Sequence, residues 1–289
     1  MKTAPTRSVV HSETGRHRAS LSVASKRHHH VISLLETNLP PIRMTDHQPD
    51  AHNPRTVLPM GRDEIQQRVA TLSIWRHRIP LPHGVVTPGR DDCNAELGPI
   101  HLPADLTGQR VLDVGCSDGF FSFESERRGA DVLGIDNFSS TPFNAGQNGF
   151  AIAKRVLKAK AEWLNESVYD LDPDRHGRFD LIIFLNTLYH LRHPLLGLEK
   201  MAHVLRPGGT MLLKTYFHHD VRFRRWGFDV FKRPVMRFFE NDDLNDDPSN
   251  WWAPNRRCLE AMLRTSGFEN LTRLGTYGDR IYYRCRRVE

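Results

Sequence analysis

The segment Val111-Leu-Asp-Val-Gly-Cys-Ser-Asp-Gly119 constrains this chain more than any other. Arg110 to Val114 reads as a strand, the glycines as a tight turn, and Phe120 onward as a helix. That succession puts Gly115 and Gly119 at the carboxyl end of a first strand, where open α/β sheets bind ligands. Glycine lets the backbone approach a ligand closely. The spacing is G-x-x-x-G, whereas a dinucleotide pyrophosphate is accommodated by G-x-G-x-x-G, so the loop favours a ligand without phosphates. Asp136 ends the next strand, 17 residues after Gly119, close to the spacing at which an acid meets ribose hydroxyls. Asp113 precedes the loop and either fixes its shape or attracts a cationic group of the ligand.

Strand and helix patterns alternate from there, as a mostly parallel sheet covered on both faces requires. The pattern predicts helix 120–128, strand 131–135, helix 143–160, a short strand near 161–164 and strand 179–185. Helix 194–205 presents Leu198, Met201, Ala202 and Leu205 on one face and stops at Pro207-Gly208-Gly209, before strand 210–216. Residues 218–253 read as an irregular lid insertion. Helix 255–266, with Leu259, Met262 and Leu263 on its apolar face, leads to a closing hairpin around Gly278-Asp279.

Upstream, Ile65, Val69 and Leu72 fall at helical spacing. They precede a Pro- and Gly-rich strap, Trp75 to Gly89, anchored by Trp75, Ile79 and Val85. Residues 1–55 show no sustained period and read as a disordered basic tail or an over-extended start, which leaves 56–109 as N-terminal helix and strap and 110–289 as the main domain. The net charge of +6 sits mostly in that tail, where seven basic residues of 1–43 face two acids. A nearly neutral body gives no bulk-electrostatic reason to expect nucleic acid. Four widely spaced cysteines form no metal-ligand pattern and fit a reduced, cytoplasmic protein. His28-His29-His30 reads as solvated, so no metal is assigned, and no apolar run has the length of a membrane span.

Asn186 to Pro194 follows the fourth strand and emerges at the same carboxyl edge as the glycine loop. His190 there is either a general base or a helix-start residue, and Tyr189 either orients a substrate or packs. Arg192 and Trp252 are the candidate substrate contacts. Within the lid, a basic part (Arg222, Arg224, Arg225, Lys232, Arg233, Arg237, interleaved with Phe223, Trp226, Phe228 and Phe231) is followed by an acidic one (Glu240, Asp242, Asp243, Asp246, Asp247). Such a pairing either contacts phosphates and bases or neutralises itself within the lid.

The glycine loop, Asp136 and Leu205-Arg-Pro-Gly-Gly209 together resemble the class I S-adenosylmethionine (SAM)-dependent methyltransferase family, from residue 110 to the C-terminus. The resemblance implies a Rossmann-like, seven-stranded, mostly parallel sheet with a C-terminal antiparallel hairpin, and SAM as cofactor. It places Gly115, Ser117 and Gly119 around the methionine portion, Asp136 on the ribose, and Glu166 to Asp170 beside the adenine; Asp113, Ser167 and Val168 complete the candidate cofactor contacts. Tyr189-His190-Leu-Arg-His-Pro194 and Trp252-Ala-Pro254 are also similar to segments of the tRNA wobble-uridine carboxymethyltransferases. Uncharacterised class I methyltransferases with a Trp-Tyr-His…Val-Val-Thr-Pro-Gly strap resemble Trp75-Arg-His77 and Val85-Val-Thr-Pro-Gly89. The tRNA enzymes' lysine before Gly-Pro-Phe and their Trp-Arg-Ser-Asp-Trp-Lys-Trp run have no counterpart here. The expectation is therefore transfer from ordinary SAM to an oxygen or nitrogen of a small-molecule or glycan-like acceptor, with tRNA wobble-uridine modification as the alternative.

Overall fold

The computed structural model describes residues 60–137, 145–218 and 233–288. The basic tail, the His28–His30 tract and Arg222 to Lys232 of the lid lie outside these residues. The chain begins with α1 (Arg62–Ala70), runs through the strap to α2 (Asn94–Ile100), and enters β1 (Arg110–Val114), α3 (Phe120–Arg127), β2 (Asp131–Asp136), α4 (Ala145–Leu157) and β3 (Glu162–Asn165). There follow α5 (Pro173–His176), β4 (Phe179–Leu185), α6 (Pro194–Val204), β5 (Leu205–Tyr216), β6 (Met236–Phe238), β7 (Trp252–Pro254), α7 (Arg256–Thr265), β8 (Phe268–Tyr277) and β9 (Arg280–Arg287). The sheet order is β3-β2-β1-β4-β5-β9-β8, with β9 and β8 antiparallel. This is the Rossmann-like seven-stranded sheet with a closing hairpin.

Covered on both faces, the central strands need apolar residues at every position, not at alternate ones. In β4, Leu181, Ile183 and Leu185 join the core under α3, α4 and the strap, while Ile182 and Phe184 join the core under α6 and α7. On α7, Leu259 and Leu263 are fully buried, and Asn255 caps the helix by accepting from the Cys258 amide. Trp75, Ile79 and Val85 of the strap are all buried, as anchors should be.

Four local features differ from the sequence expectations. Helix α2 forms between the strap and β1, where the sequence pattern predicts no helix; Pro99 occupies its last turn. Helix α4 stops at Leu157 because Lys158 takes a left-handed conformation, φ +54°, with no glycine to announce it. Strand β5 starts at Leu205 rather than after Pro-Gly-Gly: Leu205 pairs with Phe179 and Thr210 with Leu181, so residues 206–209 bulge within the strand. The lid is not wholly irregular, since β6 and β7 pair antiparallel with Phe238 opposite Trp252.

Candidate active site at the carboxyl edge

Strands β1, β2 and β4 deliver the glycine loop, Asp136 and the Thr187–His190 segment to one edge. Four of the five amides of Gly115 to Gly119 are donated within the protein. Gly115 N–H and Cys116 N–H donate to the Ile135 carbonyl at 2.8 and 3.1 Å, Ser117 N–H to Asp136 Oδ2 at 2.9 Å, and Gly119 N–H to the Cys116 carbonyl at 2.9 Å. A phosphate-binding nest needs such amides pointing outward, so this loop suits a ligand that brings no phosphate. Gly115 has φ +75°, and a Cβ there would stand 2.3 Å from Thr187 Oγ1, which itself donates to the Val114 and Leu185 carbonyls. Thr187 thus presses the acceptor segment onto the loop. Gly119, φ +90°, is required by packing, because its Cβ would meet Phe150 and Phe123 within 2.8 Å.

Asp113 is buried and accepts from Ser122 Oγ at 2.7 Å, tying β1 to the first turn of α3. Burial raises its pKa to about 6. Asp136 is also raised, by burial first, against the hydrogen bonds that Ser117 and Asn137 donate. Ser167 accepts from the Tyr169 amide and caps a short turn, with Val168 buried beside it; the preceding Glu166 amide donates to the Asp136 carbonyl. The two residues therefore begin where β2 and β3 end.

Asp118, only 1% exposed, binds the strap to the loop. Its Oδ2 accepts from the Arg76 and His77 amides at 2.7 and 3.0 Å, and its Oδ1 pairs with His77 Nδ1. Burial alone would depress the imidazole, but the Asp118 carboxylate overrides it and holds His77 at a pKa of about 10. Thr87 Oγ1 closes the strap by donating to the His77 carbonyl and accepting from the Ile79 amide. Sequence reasoning missed Asp118 and His77 as partners. They are 41 residues apart, and no periodicity signals a contact of that kind.

On the acceptor side, Tyr189 is buried against Tyr216 at 4.4 Å and against His190 at 4.3 Å. Burial drives its hydroxyl well above the ordinary range, so it is a neutral donor. Burial also lowers the pKa of His190, against the pull of Ser249 and Asp247, which keeps the imidazole neutral at pH 7. Two arginines absent from the sequence candidates face this cluster. Arg76, paired with Asp91 at 2.7 Å, acts electrostatically on Asp136, Tyr189 and His190 together, and Arg280 lies over the Tyr216 ring at 3.1 Å. Arg192 stacks on Trp251 at 4.1 Å. Trp252 packs on Phe238, and its indole N–H is buried without a partner among the described residues. Among the described residues no cluster of His, Cys, Asp and Glu could hold a metal ion, and no helix is long and apolar enough to cross a membrane.

Residues 93–272 match the family described as "Methyltransferase domain". The tRNA U34 carboxymethyltransferase of Azotobacter vinelandii is 31% identical over 212 residues, covering 72% of this chain and 60% of that protein. The tRNA U34 carboxymethyltransferase of Geobacter sp. strain M21 is 36% identical over 167 residues, covering 57% of this chain and 46% of that protein. The chain spans roughly half the length of these relatives. The N-terminal domain of EvdMO1, solved in the presence of SAH and D-fucose, shares the fold with a TM-score of 0.56 at 23% identity, over 79% of this chain and 97% of that one.

Proposed function

The chain belongs to the methyltransferase-domain family, and we propose that it uses SAM to alkylate an oxygen or nitrogen of a tRNA wobble nucleoside. The observation that carries this reading is the carboxyl edge itself, where a phosphate-free loop, Asp136 and the Tyr189–His190 pair meet. When bound, SAM supplies an electrophilic carbon on a sulfonium. Asp136 would hold the ribose hydroxyls, Gly115, Ser117 and Gly119 with Asp113 would surround the methionine portion, and Ser167 and Val168 would flank the adenine. His190 then takes a proton from the acceptor, Tyr189 donates a hydrogen bond that orients it, and Arg192 and Trp252 border the acceptor's path. Much of the acceleration comes from such positioning.

The choice of tRNA over the small-molecule acceptor that the sequence favoured rests on the tRNA-modifying relatives. A small-molecule or glycan-like acceptor is the second reading, favoured by the exposed acids Glu240, Asp242, Asp243 and Asp246 on the lid, which repel phosphate. Calorimetry with SAM and S-adenosylhomocysteine, followed by mass spectrometry of nucleosides from tRNA incubated with enzyme and SAM, tests both parts. Binding lost in Asp136→Ala together with a modified wobble nucleoside is the expected outcome. No nucleoside gain, with modification of a metabolite instead, would select the second reading.

A further inference from the structure

The lid segment Asp247-Pro248-Ser249-Asn250 has the composition of a tight turn, with Asp at its first position and Pro at its second. It forms one. Asn250 N–H donates to the Asp247 carbonyl at 3.1 Å and Ser249 N–H to Asp247 Oδ1 at 2.9 Å. Trp251 N–H donates to the Tyr189 carbonyl at 2.9 Å, and Asn250 Nδ2 to the Leu244 carbonyl at 2.7 Å, so the turn is pinned onto the acceptor segment.

This turn meets His190 through one ring nitrogen. Nδ1 lies 3.0 Å from the Ser249 carbonyl and 3.0 Å from Ser249 Oγ, while Oγ donates to Asp247 Oδ1 at 2.5 Å. A carbonyl oxygen only accepts, and the Ser249 hydroxyl has already given its proton to Asp247. Nδ1 must therefore carry the hydrogen, and Nε2 keeps its lone pair. No described residue hydrogen-bonds to Nε2. The charged and titratable groups that face the imidazole are Asp247 from the lid, Arg76 from the strap, Arg280 from the hairpin and Tyr189 beside it.

We propose that Asp247 and Ser249 are positioning residues that fix His190 in the tautomer able to accept a proton at Nε2, so that the lid carries half of the base. This rests on the reading of His190 as the base. The acceptor's O–H or N–H gives its proton to Nε2 as the acceptor atom bonds to the transferred carbon, and the electron pair of the broken carbon–sulfur bond stays on sulfur. The imidazolium so formed is stabilised through Ser249 by the Asp247 carboxylate and later releases its proton to water. A lid that leaves its seat takes the orienting groups with it, and the base loses its fixed tautomer.

Nitrogen NMR of the histidine rings in the full chain, with His190→Gln to assign the signal, tests the relay without any acceptor. The expected spectrum shows the Nδ1–H tautomer. Asp247→Asn keeps an acceptor for the Ser249 hydroxyl but removes the charge that favours imidazolium, so the His190 titration should move down by about 1 pH unit. Asp243→Asn, an exposed acid on the same lid, should leave it in place. An Nε2–H tautomer in the unaltered protein, or a titration that Asp247→Asn does not move, overturns the proposal.

Transfer to tRNA tests the underlying role. His190→Gln should slow turnover by about 100-fold, and Asp247→Asn should shift the acid limb of the rate profile to lower pH with unchanged S-adenosylhomocysteine affinity. The expected spectrum combined with full turnover in His190→Gln would show the relay in place but no base, which also overturns the proposal and is distinguishable from a missing relay. Equal loss of cofactor affinity and rate would make the turn merely structural.

Discussion

Gly115 is under two demands at once, a left-handed backbone and the Thr187 hydroxyl where a Cβ would stand. Gly115→Ala should therefore cost about 1–3 kcal/mol in backbone strain, with overpacking added, and weaken S-adenosylhomocysteine binding more than tenfold by calorimetry. The His77–Asp118 pair makes a prediction of opposite kind. Its histidine is raised from 6.5 to about 10, so its contribution to stability is complete below pH 6.5 and disappears as pH rises through about 10. In urea denaturation, His77→Gln should be less stable than the parent by roughly 3 kcal/mol near neutral pH, and the gap should close towards pH 10. A gap that is flat with pH would mean that His77 is held neutral. At this scale the placement of Asp113 and Asp136 in β1 and β2 and of the glycines just after β1 was legible, because placement follows from neighbours in sequence. Asp118, Arg76 and Arg280 were not, because each acts on a partner brought from another part of the chain.

Among the elements, the strap is the one whose integrity bears most directly on the site. It has little regular structure, so its shape depends on a few buried bonds, chief among them Thr87 Oγ1 between His77 and Ile79. Thr87→Ala leaves the Ile79 amide and the His77 carbonyl without that partner, at a cost of about 1–3 kcal/mol, and should weaken cofactor binding through the Asp118 contact. Thermal denaturation and calorimetry on the same sample check both effects. Helix α7 offers a contrast: Leu259→Ala opens a cavity under the sheet costing about 2–5 kcal/mol and should lower the melting temperature without changing cofactor affinity. The helices and strands of the sheet were readable from apolar runs and caps, since a strand covered on both faces has no other composition available. The β6–β7 pair was not, because three-residue strands exist only when a distant partner supplies the hydrogen bonds.

At the scale of the molecule, charge separates the two acceptor readings. The tail carries most of the +6, while the described part of the lid exposes Glu240, Asp242, Asp243 and Asp246. If tRNA is the acceptor, binding to the full chain should weaken steeply between low and physiological salt, with a logarithmic slope of about −0.7 to −0.9 per phosphate contacted. A flat response would favour a small acceptor. The sequence by itself determined the sheet, the direction of its strands and the edge to which the glycine loop and Asp136 are brought, because strand pattern, turn chemistry and the Gly115 to Asp136 spacing are local or nearly local properties. The tertiary structure alone decided which groups meet there. The pairing of the loop with the strap through Asp118, the proton on His190 Nδ1 and the approach of Arg76 and Arg280 all depend on contacts between segments far apart in the chain, and no pattern along a sequence encodes a hydrogen bond that only packing brings into range.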